Sequence, residues 1–102
     1  MMQHVIPKSL IQQMFKQTVN CVSAHPDLKH HPNLCETAYI SQLADEKSYT
    51  LHTHPDDIDY PSPADKRTTK MLKKKNLCII LNNGRTRCWN EQDGFTNPTE
   101  EF

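Results

Sequence analysis

Glycine is nearly absent from this chain, which has only 2 among its 102 residues. Loops that cradle nucleotide phosphates need several glycines, because the backbone must approach the phosphate closely and adopt positive φ. The sequence therefore excludes a Walker-type phosphate loop and a Rossmann-type dinucleotide fold.

An excess of charge and long apolar runs are also lacking. Twelve basic residues balance twelve acidic ones, which removes any overall attraction to nucleic acid or to an anionic membrane. No stretch approaches the roughly 20 apolar residues that span a bilayer, and the N-terminus has no signal-peptide pattern. We therefore expect a cytoplasmic protein with no membrane partner, and we do not expect it to bind nucleic acid.

Paired cysteine motifs are the third absence. The four cysteines, Cys21, Cys35, Cys78 and Cys88, include no C-x-x-C pair, so they have neither zinc-ribbon nor thioredoxin spacing. Cysteine is commonly buried as a free thiol. We expect buried free thiols here, with one disulfide as the alternative.

The order of secondary structure follows from hydrophobic periodicity and turn residues. Helices are predicted for residues 9–22 and from 62 to about 75, and strands for residues 34–41, 48–54, 77–81 and 85–89. Asn83-Gly84 predicts a hairpin turn with positive φ at both positions. We expect one α/β domain of the α+β type in residues 1–92, with a mixed sheet covered by helices, and a flexible tail in residues 93–102.

Two histidines, His52 and His54, lie two residues apart on the strand predicted for residues 48–54. Side chains at this spacing point to the same face of a strand, so both rings can bind one ion. Asp65, in the first turn of the second predicted helix, would complete a set of three ligands. Three protein ligands leave the fourth position of a tetrahedral zinc ion for water, which is typical of catalytic sites.

A catalytic zinc site also needs a general base near that water. Glu36 is the candidate, because it lies at the start of the strand that is predicted to pair with the histidine-bearing strand. Glu46 is the second choice, although the turn around it is expected to face solvent. The remaining histidines have no matched partner and are expected at the surface.

The complete pattern is His52-Thr53-His54, seven residues, then Ser62-Pro63-Ala64-Asp65, with Glu36 upstream. This pattern resembles the signature of the JAMM (MPN+, JAB domain) family of zinc metalloproteases. The resemblance implies that His52, His54 and Asp65 bind Zn²⁺. It also implies that Glu36 acts as base and acid, that Ser62 stabilises the oxyanion, and that the fold is a minimal, cytidine-deaminase-like JAB/MPN fold.

Family members cleave peptide or isopeptide bonds, often releasing a ubiquitin-like modifier, and phage relatives process tail proteins. The resemblance therefore implies a protein or peptide substrate, either a ubiquitin-like modifier or a viral structural protein. Only fifteen residues separate Glu36 from His52, whereas larger members insert further strands and a helix there. We expect the elements that grip substrate in those members to be absent.

Other interpretations remain for parts of the pattern. The scaffold can serve as a catalytically silent MPN interaction module, and a similar pattern occurs in the RadC branch, which is linked with DNA. An amidohydrolase barrel needs roughly 250 residues, so length excludes it. Ser62, with Pro63 at the first helical position and Asp65 three residues on, is also a helix-capping pattern and can serve both purposes.

Overall fold

A five-stranded mixed β-sheet forms the centre of the computed structural model, which describes residues 5–27, 32–43, 47–54, 60–96 and 99–101. The helices and strands are, in chain order, β1 (Val5–Pro7), α1 (Lys8–Ala24), β2 (Ala38–Ile40), β3 (Tyr49–Thr53), α2 (Pro63–Met71), β4 (Asn76–Ile80), β5 (Thr86–Asn90), β6 (Gly94–Thr96) and β7 (Thr99–Glu101).

The main sheet has the strand order β2-β3-β4-β5-β6. Strands β3 and β4 are parallel, because helix α2 connects them, and the other neighbours are antiparallel. Strands β1 and β7 form a separate parallel pair. The predicted class, α+β with a mixed sheet and covering helices, is confirmed.

Helix α1 covers one face of the sheet with the apolar stripe that the sequence predicts. Its buried apolar residues are Ile11 and Met14, which pack on the alternate residues of the central strands that point to this face. Each such side chain contributes about 1.5–3 kcal/mol on burial. The buried core cluster consists of Ile6, Ile11, Met14, Tyr49, Leu51, Cys78, Ile80 and Cys88.

Helix α2 covers the opposite face and is shorter than the sequence suggested. It ends at Met71 rather than near residue 75. Lys73 follows with φ of 58°, and the amides of Lys73 and Lys74 donate to the carbonyls of Lys70 and Thr69. This is a Schellman motif, which normally has glycine at the left-handed position. Lysine stands there instead, so no glycine marks the end of this helix in the sequence.

The second strand is also shorter than predicted. The range 34–41 begins in a 3-10 helix, Pro32–Cys35, and only Ala38–Ile40 pairs as β2. The turn expected around Glu46 lies mostly outside the described residues. Helix α1 and strands β3, β4 and β5 agree with prediction within two residues at each end.

Two predictions about the C-terminal third were wrong in detail. At the β4–β5 hairpin only Gly84 has positive φ, 85°, and its amide donates to the Leu81 carbonyl at 2.9 Å, so the loop ends in a glycine bulge. The segment of residues 93–102, expected as a flexible tail, contains β6, which pairs with β5, and β7, which pairs with β1. Neither segment has a continuous apolar run that would have indicated a strand.

Among the described residues, no helix is long and apolar enough to cross a membrane.

All four cysteines form disulfides, so the expectation of free thiols was wrong. Cys78 and Cys88 are cross-strand partners in β4 and β5, with Cα atoms 4.0 Å apart. Cys21, near the end of α1, is bonded to Cys35 in the 3-10 helix. Both pairings depend on strand register and helix placement, which the spacing of cysteines in the sequence does not show.

We expect the double variant Cys78→Ala/Cys88→Ala to lower the free energy of unfolding by about 2–4 kcal/mol, because the cross-link restricts the unfolded chain. Denaturant titration measures this. A thiol reagent should find no free thiol in the denatured, unreduced wild-type chain and should find four after reduction. Four thiols before reduction would contradict both bonds.

Candidate metal centre

The β3–α2–β4 crossover brings the three predicted ligands together. Strand β3 ends at Thr53. His52 is the second-last residue of this strand, and His54 follows immediately after it. The chain then returns antiparallel to β3 as α2, so the first turn of this helix, with Asp65, lies at the end of β3. Ligand sites of open α/β sheets lie at this carboxyl end of the strands.

The ligand atoms of these side chains converge. The Nε2 atoms of His52 and His54 are 2.9 Å apart, and they lie 3.2 and 3.3 Å from Oδ2 of Asp65. The side chains of His52 and His54 are 13% and 8% exposed, and that of Asp65 is 25% exposed. The group is thus shielded but still reachable from solvent.

Hydrogen bonds alone do not account for this triangle of atoms. Each Nε2 atom of His52 and His54 directs either one hydrogen or one lone pair into the triangle, and the ionised Asp65 oxygen only accepts. Three short contacts would each need a hydrogen in line, which two nitrogen atoms cannot supply. A cation attracts all three lone pairs at once and satisfies the arrangement.

The spacing also suits zinc. Zinc–nitrogen and zinc–oxygen bonds of 2.0–2.2 Å in a tetrahedron separate neighbouring ligand atoms by about 3.3 Å. The three observed separations, 2.9, 3.2 and 3.3 Å, approach this value. Two imidazoles and one carboxylate are a common zinc ligand set, so the residues present fit the ion that the sequence predicts.

The electrostatics favour the protonation states that bind metal. Burial holds the pKa of His52 below its usual value, and His54 adds to this effect, although Asp65 acts in the opposite direction. Burial pushes the pKa of Asp65 upward, but hydrogen bonding to Ser62 and the interactions with the two histidines outweigh it and leave that pKa lowered. A neutral His52 and an ionised Asp65 at neutral pH are the forms that ligate metal.

Ser62 and Asp65 form a capping box at the start of α2. The amide of Asp65 donates to Oγ of Ser62 at 3.1 Å, and the amide of Ser62 donates to Oδ2 of Asp65 at 3.0 Å. The same Oδ2 faces both histidines, so the cap orients the carboxylate toward them. Capping and ligation are therefore compatible, and the hydrogen of the Ser62 hydroxyl is not used in the cap.

Two further contacts fix α2 on the sheet, and the sequence analysis missed both. The hydroxyl oxygens of Thr50 and Thr69 are 2.8 Å apart. Thr69 lies one helical turn after Asp65, and Thr50 lies two residues before His52. Nζ of Lys66 lies 4.3 Å from the centre of the Trp89 ring. Thr69 lies four residues after Asp65, a spacing that would have placed both on one helix face.

Glu36 is not among the residues whose ligand atoms converge. It is exposed and lies two residues before β2, in which Ala38 is the partner of His52. The antiparallel pairing covers Ala38–Ile40, and continuing its register by two residues would place Glu36 opposite His54, on the same face of the sheet. Glu36 therefore precedes the strand that the sequence predicted it to begin, and its role as base stays a prediction, while Glu46 lies outside the described residues.

Comparison of the chain with protein-family models, with curated proteins and with solved structures finds no match.

We expect Ser62→Ala to lower the free energy of unfolding by about 0.5–2 kcal/mol and Ser62→Gly to lower it by only a few tenths, because glycine tolerates the N-cap position better than alanine. Thermal or denaturant unfolding measures both. Ser23→Ala, at an exposed position near the end of α1, is the control. Equal stability of the Ser62→Ala variant and the wild type would show that the cap contributes nothing.

Proposed function

We propose that this chain is a zinc-dependent hydrolase of the JAMM type that cleaves a peptide or isopeptide bond. The observation that carries the proposal is the convergence of His52, His54 and Asp65 at the end of β3. Two histidines and one carboxylate leave room for water on a tetrahedral zinc ion, which distinguishes a catalytic site from a closed structural one.

In this proposal His52, His54 and Asp65 would hold the zinc ion, which would supply a Lewis acid able to activate water and polarise a carbonyl at neutral pH. Glu36 takes the proton from the attacking water and delivers it to the leaving amine. The Ser62 hydroxyl donates to the carbonyl oxygen as that oxygen gains negative charge. Ser62 can do this while its oxygen still accepts the Asp65 amide, because a hydroxyl has one donor and two acceptor sites.

The fold would then be a reduced form of the JAB/MPN fold. Strands β2 and β3 are direct antiparallel partners, and the short link between them leaves no place for the insertions that larger members carry. A ubiquitin-like modifier or a viral structural protein remains the proposed substrate. The silent MPN module differs from this proposal only in lacking turnover.

The proposed location requires one adjustment. The sequence suggested the cytoplasm, but two disulfides persist there mainly in hyperthermophiles, since most cytosols keep thiols reduced. We therefore propose an oxidising compartment or such a host.

We expect about one zinc ion per chain, and we expect its loss in the double variant His52→Ala/His54→Ala, because one carboxylate cannot hold zinc against water. Elemental analysis after dialysis, with and without chelator, measures this. His25→Ala, at an exposed histidine outside the site, is the matched control and should retain the ion. Full zinc occupancy in the double variant would place the ion elsewhere.

We expect Glu36→Gln to keep zinc and to reduce kcat by about 10²–10⁴-fold, because the amide has similar size but cannot accept a proton. Cleavage of a linear ubiquitin-like fusion measures turnover, with zinc content determined on the same preparation.

The matched control for this substitution is Glu91→Gln, at an exposed glutamate after β5. Turnover by Glu36→Gln at the wild-type rate would move the base to another residue, with Glu46 next. A wild-type chain that binds zinc and cleaves no fusion would favour the silent module.

A further inference from the structure

Two threonine side chains, those of Thr18 and Thr53, bind the backbone on both sides of Glu36. The amide of Thr37 donates to Oγ1 of Thr53 at 2.9 Å. The hydroxyl of Thr18 donates to the carbonyl of Cys35 at 2.9 Å. The hydroxyl oxygens of Thr18 and Thr53 are 2.7 Å apart, so these contacts form one continuous chain.

The direction of every hydrogen bond in this chain is determined. A carbonyl only accepts, so the single hydrogen of the Thr18 hydroxyl goes to Cys35. Thr18 must then accept from Thr53, and Thr53 in turn accepts from the Thr37 amide. Hydrogen bonds that run in one direction polarise one another and strengthen the chain.

Helix α1 provides the fixed support for these contacts. Cys35 is bonded through its sulfur to Cys21, three residues after Thr18 on the same helix. A threonine inside a helix commonly donates to the carbonyl four residues earlier, but Thr18 donates to another segment. Thr18 and Thr53 are 5% and 2% exposed, so water does not replace these bonds.

Thr53 connects this series of hydrogen bonds to the metal centre. It stands between His52 and His54 in sequence, and its side chain points to the α1 face, away from the two rings. The peptide groups before and after Glu36 are thus fixed to the same strand that carries both histidines.

We propose that a group of residues, the Glu36 clamp, positions Glu36 relative to the histidine pair. The Glu36 clamp consists of Thr53, Thr18 and the Cys21–Cys35 disulfide. This inference rests on the proposed hydrolase function, in which Glu36 is the base. Thr53 and Thr18 act through the backbone and are positioning residues, because they contact neither zinc nor substrate. A shift of about 1 Å in a reacting group can reduce turnover about 100-fold, so a fixed backbone matters here.

The test compares Thr53→Val, which keeps the shape of the side chain and removes the hydroxyl, with Thr53→Ser, which keeps the hydroxyl. Ser41→Ala is the matched control, because the Tyr49 amide donates to Oγ of Ser41 at 2.9 Å. This bond is of the same kind and joins the same two strands at the opposite end of the hairpin.

Amide hydrogen exchange is the first measurement, on zinc-loaded and zinc-free protein. In Thr53→Val we expect the Thr37 amide to exchange about 10–100-fold faster than in the wild type, because it loses its acceptor. Thr53→Ser should restore protection to within about 3-fold, and Ser41→Ala should leave Thr37 protected. Unchanged exchange at Thr37 in Thr53→Val would overturn the clamp.

Turnover of the ubiquitin-like fusion is the second measurement. We expect Thr53→Val to bind one zinc ion and to keep the wild-type KM for the fusion. Its kcat should fall roughly 10–100-fold, and Thr53→Ser should recover the wild-type kcat. Ser41→Ala should keep the wild-type kcat even if its melting temperature falls as far as that of Thr53→Val. Faster exchange with full turnover in Thr53→Val would overturn the positioning role. A wild-type chain with no turnover would refute the hydrolase, and the exchange result would still decide the clamp.

Discussion

Alternation of side chains along β3 is the constraint on which the rest of the structure depends. Leu51 and Thr53 point toward α1, where they join the apolar core and the buried hydroxyl chain. Thr50 and His52 point toward α2, where Thr50 contacts Thr69 and His52 contacts Asp65. Since the period of a strand is two, a shift of one residue would exchange these faces and abolish both the core and the site.

Local periodicity explains why much of this architecture could be predicted from the sequence. The apolar stripe of α1 and the alternation around His52 and His54 are properties of short segments, and a capping pattern such as Ser62 to Asp65 is fixed by four residues. The proposed ligand set follows from the same local facts, because both histidines lie at the end of one strand and Asp65 lies in the first turn of the next helix. The mixed sheet then follows from the helix that connects two parallel strands.

Features that depend on contacts between distant segments could not be predicted in this way. Cys21 and Cys35 form a disulfide because the end of α1 lies beside the segment that precedes β2. The spacing of the two cysteines in the sequence does not indicate that these segments are neighbours. The acceptor for the Thr37 amide is a hydroxyl sixteen residues away. The end of α2 was misjudged for another reason: the residue in left-handed conformation is Lys73, and glycine, the usual signal, is absent there.

The two faces of the sheet differ in composition: the α1 face carries the apolar core, and the α2 face carries the polar site. This difference matters because the domain is small. A chain of 102 residues buries a limited apolar area, yet the α2 face brings three polar side-chain atoms within 3.3 Å of one another, and such a group costs stability where hydrogen bonds do not satisfy it. The α1 face offsets this cost with its apolar cluster, and Cys78 and Cys88 cross-link that cluster from within. A cross-link stabilises without enlarging the core, because it acts on the unfolded chain. A cation bound there, as we propose, would relieve the repulsion among these atoms, and because the three side chains are already assembled, its binding would add to the stability of the fold.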